Sequence, residues 1–87
     1  MEQQLLGRWY ALVGGEPVAL EFLADVRAAY VVQSGGRQQT MLLTWRVEGE
    51  DLITNQPSDP REERTQVAFD GDVLLLTFQG MAARFTR

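Results

Sequence analysis

Twelve carboxylates and eight arginines make up the whole charged inventory of this chain, which contains no His, Lys or Cys. Nucleophilic catalysis needs an activated Ser, Thr, Cys or Lys beside a base, so most of its partners are missing from the outset. The two serines, Ser34 and Ser58, stand beside Gly or Pro in turn-like sequence. What remains is carboxylate chemistry, which needs one carboxyl buried with its pKa raised. Glu48, Glu50, Asp51, Asp70 and Asp72 instead fall in turn-like segments, where solubility and hairpin formation account for them. Glu21 lies mid-strand between Leu20 and Phe22, and alternation sends it outward.

The same carboxylates raise the question of calcium. Asp70-Gly71-Asp72 and Glu48-Gly49-Glu50-Asp51 would lie at one end of a meander, yet the roughly 12-residue ligand loop of an EF-hand is absent. Asp-Gly is, moreover, a strong hairpin signal in its own right. No metal and no cofactor is expected, and the chain is not expected to be an enzyme.

Charge also argues about partners. A net charge of −4 without a basic cluster speaks against nucleic acid, where phosphate neutralisation supplies most of the affinity. That every basic residue is Arg suits bidentate carboxylate or phosphate contacts, but a composition rich in Arg, Ala, Gly, Val and Leu reads more simply as codon bias. No apolar run approaches the roughly 20 residues of a membrane span, and the segment Met1-Glu2-Gln3-Gln4-Leu5-Leu6 lacks the regions of a signal peptide. A cytoplasmic location is expected.

The elements that must carry any site show a period of two. Val18-Ala19-Leu20-Glu21-Phe22, Met41-Leu42-Leu43-Thr44-Trp45-Arg46-Val47 and Leu74-Leu75-Leu76-Thr77-Phe78 alternate or run apolar between tight turns. Eight strands are expected near 7–13, 18–23, 28–33, 38–47, 51–56, 62–69, 73–78 and 82–86, with helix nearly absent. Turn chemistry sits between them at Gly14-Gly15-Glu16-Pro17, Asp25-Val26-Arg27, Ser34-Gly35-Gly36-Arg37, Glu48-Gly49-Glu50, Pro57-Ser58-Asp59-Pro60, Asp70-Gly71-Asp72 and Gln79-Gly80-Met81. Such short links give an antiparallel up-and-down meander, and closing it into a barrel removes two bare edges. The expected fold class is therefore all-β, a small eight-stranded barrel forming one domain over residues 1–87; an open sheet that dimerises through its edges is the alternative.

Alternation assigns an inner face of Trp9, Ala11, Val13, Val18, Leu20, Phe22, Ala28, Tyr30, Val32, Met41, Leu43, Trp45, Val47, Leu52, Val67, Phe69, Leu74, Leu76, Phe78, Ala83 and Phe85. Without disulfides or a metal, packing of these residues must supply the stability. So many aromatics in so short a barrel predict a packed interior and no cavity.

Gly7-Arg8-Trp9 on the first strand, with Arg84 or Arg87 at the end of the last, resembles the lipocalin pattern. That resemblance implies a tryptophan closing the narrow end of the barrel with an arginine packed across its ring. More specifically, Gly7 and Trp9, then Leu20, Phe22 and Asp25, then Trp45, Val47, Gly49 and Leu52, then Phe69, Gly71, Asp72, Leu74 and Leu76 resemble small bacterial lipocalin-like domains. Two departures stand out. Val26 occupies a place where such domains would put glycine, so its hairpin must use another turn type or carry strain. The chain is also much shorter than a ligand-carrying lipocalin and lacks its middle motif, so transport of a large ligand does not carry over.

Two surfaces are candidates for recognition. The odd-numbered turns gather at one rim, whose candidate residues are Glu16, Arg37, Asn55, Asp59, Arg61 and Met81. On the outer face Tyr10, Leu12, Val73, Leu75 and Ala82 become neighbours only if the barrel closes, forming an apolar stripe suited to a homodimer or another protein partner. The expected function is a non-enzymatic binding or protein-interaction module, and the alternative is a carrier of a small hydrophobic ligand in an internal cavity.

Overall fold

The computed structural model describes residues 2–56 and 59–87, with the side chains of all of these except Glu2, Asp59 and Pro60. A single helical turn, α1 (Glu2–Leu5), precedes eight strands: β1 (Gly7–Val13), β2 (Glu16–Phe22), β3 (Arg27–Ser34), β4 (Arg37–Glu48), β5 (Asp51–Gln56), β6 (Asp59–Asp70), β7 (Val73–Phe78) and β8 (Met81–Phe85). Each strand pairs antiparallel with its neighbours in chain order, which makes one up-and-down meander. The expected strands are all present, several of them longer by one to three residues at an end. The expected turn at residues 57–60 falls partly on Pro57 and Ser58, outside the described residues. The helix is an addition to the sequence reading, because four residues are too few to show a helical period.

Alternation carries the core. Trp9, Val18, Leu20, Phe22, Ala28, Trp45, Leu52, Val67, Leu74, Leu76 and Phe85 are buried inside, joined by Leu5 from α1. The aromatic rings interlock at angles their quadrupoles favour: Phe22 meets Trp45 edge-on with centroids 5.0 Å apart, and Trp9 lies 6.3 Å from Phe69. Val13, Met41 and Phe78 hold the inner phase but keep 40%, 42% and 38% of their surface exposed, so the expectation of an interior packed from end to end is wrong at one end. The reason lies in the register. β4 pairs with β3 through Arg37–Thr44 and with β5 only through Thr44–Glu48, so its first half stands beyond β5 and the barrel flares.

Ile53 is a second departure, since it is buried although it lies on the outer face. It sits in register between Arg46 of β4 and Arg64 of β6. Arg46 bonds Glu48 and Glu62, each at 2.7 Å, and Arg64 bonds Asp51 at 2.9 Å, so two guanidinium groups are tied down on either side of it. The Arg46 hydrogen bond holds the Glu48 carboxyl below its usual pKa. These pairs are half exposed and individually weak; their contribution is to hold two long aliphatic stems over an isoleucine.

The tight turns follow their sequences. Gly14-Gly15, Gly35-Gly36 and Gln79-Gly80 hold positive φ at both central residues, as type I′ hairpins require, whereas Gly49 and Gly71 are positive at the first central residue only, as in type II′. The turn between β2 and β3 differs. Val26 adopts φ +64°, a left-handed conformation that a β-branched residue takes only under compulsion. Three hydrogen bonds impose it: Leu23 N–H to Arg27 O at 2.9 Å, Trp45 N–H to Val26 O at 2.9 Å, and Trp45 Nε1–H to Leu23 O at 3.1 Å. The strain expected at this position is present, and Trp45 is what holds it.

Closure is the last feature. A two-residue hairpin makes Val13 and Glu16 a hydrogen-bonded pair, so on β1 the N–H and C=O of Tyr10 and Leu12 point away from β2. The same reasoning from Phe78 and Met81 turns the backbone groups of Ala82 and Arg84 away from β7. Tyr10 and Thr86 meet and exchange both bonds, at 2.7 and 2.8 Å. Among the described residues β1 and β8 make no other backbone hydrogen bond, so the barrel is nearly closed.

Two stability measurements follow. Trp45→Ala is expected to cost about 3–5 kcal/mol in equilibrium denaturation, because it removes a core ring and the donor that braces the β2–β3 turn. Val26→Gly is expected to stabilise by about 1 kcal/mol, because glycine adopts the left-handed conformation without the β-branched penalty; an unchanged denaturation midpoint would mean that the turn is unstrained.

Candidate functional site

The two ends of the barrel have opposite chemistry. At the end that carries both termini, Leu5 is wholly buried and plugs the opening. The Trp9 indole N–H donates to Leu5 O at 2.9 Å, which ties the plug to β1. The Arg87 guanidinium lies 3.9 Å from the centre of the indole ring and donates to Leu6 O at 2.8 Å and Gln4 O at 2.6 Å. Of the two arginines expected to cover Trp9, Arg87 is the one that does so. Gly7 has two reasons to be glycine here: its φ is +108°, and a Cβ would lie 2.6 Å from Arg87 Nη1. This end is sealed.

The opposite end is a cup of about 440 Å³ inside the barrel. Its apolar wall comes from Leu20 of β2, Tyr30 of β3, Met41 and Leu43 of β4, and Leu76 and Phe78 of β7. Leu52 lies at the foot of the other wall, and above it come Thr54 and Gln56 of β5 with Arg61, Glu63 and Thr65 of β6. Thr54 stands opposite Glu63, and Leu52 opposite Thr65. The cup is therefore apolar on one side and rich in hydrogen-bonding groups on the other. The strand period could have found this polar wall, since Arg61, Glu63 and Thr65 share the phase of Val67 and Phe69. Its polarity conceals it, because alternation marks an inward face only where the alternating residues are apolar.

The candidate rim residues occupy this open end. Glu16 and Arg37 begin β2 and β4, Met81 begins β8 with 74% of its surface exposed, and Arg61 lines the cup. Asp59 begins β6, and its side chain lies outside the described residues. Asn55 is half buried beside a register shift, and its Oδ1 has no hydrogen-bond partner among the described residues. The outer-face candidates fall into two groups. Tyr10 and Leu12, 49% and 73% exposed, lie on β1, whereas Val73 and Leu75 lie on β7. The register places Arg84 beside Leu75, so β8 interposes a charged residue between the two groups, and Ala82 sits further along β8 opposite Thr77.

The acidic turns show another arrangement. Glu48 and Asp51 are engaged by Arg46 and Arg64, and among the described residues no group of three or more acidic side chains is placed to hold a metal ion. No helix among the described residues is long and apolar enough to cross a membrane.

The sealed end yields a test. Gly7→Ala is expected to cost about 1–3 kcal/mol, from backbone strain and displacement of Arg87 together. Arg87→Gln, which keeps φ free, should cost about 1 kcal/mol and red-shift Trp9 emission as the ring is uncovered. Equal stability of Arg87→Gln and the parent, with unchanged emission, would show that the guanidinium contributes nothing to closure.

The sequence matches no family model, no curated protein and no solved structure. What stands is the architecture, an all-β, eight-stranded antiparallel barrel sealed at one end and open at the other.

Proposed function

We propose that the protein is a non-enzymatic binding module that takes a small, apolar-bodied ligand with a polar edge into the open end of its barrel. The cup supports this reading. Its volume, about 440 Å³, falls within the ordinary range for small-ligand pockets, about 300–1,000 Å³. Its two walls have different chemistry, so a ligand with one apolar face and one hydrogen-bonding edge matches it best. The absence of His, Cys and Lys favours binding without turnover. A lipocalin-like relationship fits the same reading, supported by Gly7, Trp9 and Arg87 at the sealed end. The cup is the reason to favour a ligand-binding module over the expected packed barrel that acts through its outer surface alone.

N-phenyl-1-naphthylamine, an apolar probe that brightens in dry surroundings, tests the proposal. One probe per chain is expected, with a raised melting temperature as mass action requires. Leu43→Trp and Thr54→Trp, which fill the cup from opposite walls, should each weaken probe binding at least tenfold while leaving the circular dichroism unchanged. Probe binding that survives both substitutions would place the probe elsewhere and overturn the proposal.

A further inference from the structure

The slot between β1 and β8 is independent of the cup. Above the Tyr10–Thr86 pair the strands separate around a groove of about 760 Å³, bounded by Tyr10–Gly14 on one side and Met81–Arg84 on the other. In a continued ladder Leu12 would face Arg84, and that pair of bonds is not made. The N–H and C=O groups of Leu12, Ala82 and Arg84 therefore point into the slot from both sides. Leu12 is 73% exposed and Met81 74%, and Val13 adds a further apolar edge. Pro17, which donates no N–H, stands opposite Leu12 at a position where β1 and β2 exchange no bond, so the hairpin loses nothing to it.

We propose that this slot binds the apolar carboxyl-terminal segment of another polypeptide as an added strand. Bare backbone groups on two facing edges call for a chain that can bond on both sides. A second copy of the protein would bring an edge strand with its own sheet attached, whereas two facing edges call for a single strand free on both sides. Charge sets the direction of entry. Arg84 is the only charged side chain among the described residues lining the groove, and it lies toward the blunt end beside Tyr10 and Thr86. A chain entering carboxylate first reaches Arg84 at the blunt end, where an amino terminus would meet a like charge. That direction is antiparallel to β1 and parallel to β8, and the reverse direction only exchanges the two, so charge and not backbone bonding chooses it. From Tyr10 to the rim β1 offers three further residues, so the bound segment is about three or four residues long.

The test uses an acetylated pentapeptide, threonyl-valyl-alanyl-valyl-valine, with a free carboxylate, and the same peptide as its carboxyl-terminal amide. Amide hydrogen exchange of the intact protein should slow at Leu12, Ala82 and Arg84 when the free acid is added. The amide should bind about tenfold more weakly, the scale of one charge-assisted hydrogen bond. Arg84→Gln should erase that preference, and Leu12→Pro, which removes a slot-facing N–H and no β1–β2 bond, should abolish binding of both forms. Should Leu12→Pro fail to fold, the exchange measurement on the parent protein decides alone. Unchanged exchange at these three amides with millimolar peptide overturns the proposal, as does a preference that survives Arg84→Gln. Protection of the same amides that grows with protein concentration and without peptide would also overturn it, by showing a second copy in the slot. N-phenyl-1-naphthylamine should stay bound when the peptide is added; displacement of the probe with no change at the three amides would place the peptide in the cup and overturn the slot.

Discussion

The contact of Arg87 with Trp9 organises the molecule, because it joins the first and last strands beside the single backbone pair that closes the meander. The guanidinium stacks on the indole and donates to two carbonyls of the segment that carries Leu5. Through the indole N–H, that segment is bonded back to β1. One residue later in space, Tyr10 and Thr86 exchange their backbone bonds. Removal of Gly7's conformational freedom would disturb all of these at once, since its backbone and the Arg87 side chain occupy adjoining space. Individually each contact is on the order of 1 kcal/mol, but they share the same few residues and are coupled.

Sealing one end has consequences for the other. Eight strands enclose a volume that side chains can just fill, and most of the large inward rings are spent in the sealed half: Trp9, Phe22, Trp45, Phe69 and Phe85. Toward the open end β4 leaves β5, and Thr, Gln, Arg and Glu replace aromatics on the inner phase of β5 and β6. The cup is thus what remains when a short barrel places its bulk asymmetrically. The polar wall is tolerable there because its groups reach water at the rim, whereas the same residues beside Phe22 would be left without partners.

The incomplete seam continues the same asymmetry. A closed barrel has no edges, and this one closes by a single pair, leaving a short wedge of bare backbone. The wedge is brief and carries Arg84, which limits uncontrolled strand pairing. Strain is handled similarly. Val26 is held left-handed by bonds that also fix Trp45, so a local cost is tied to one of the two tryptophans of the core.

The strands, their order, the hairpins and most of the buried face were legible in the sequence, because alternation and Gly-centred turns are local properties with a period of two. The Gly7, Trp9 and arginine triad was legible as well, although only the fold could choose Arg87 over Arg84. Three things were decided by tertiary structure. Leu5 sits in a single turn of helix and acquires its role only when β1 and the carboxyl terminus surround it. Ile53 has the outward phase and is buried because Arg46 and Arg64, brought beside it by two different ladders, carry their stems past it. The cup and the slot depend on where ladders stop, at Thr44 on β4 and at Tyr10 on β1. Residue alternation shows which way a side chain points, but the length over which two strands stay paired is set by the twist and closure of the whole sheet, and that has no local signature.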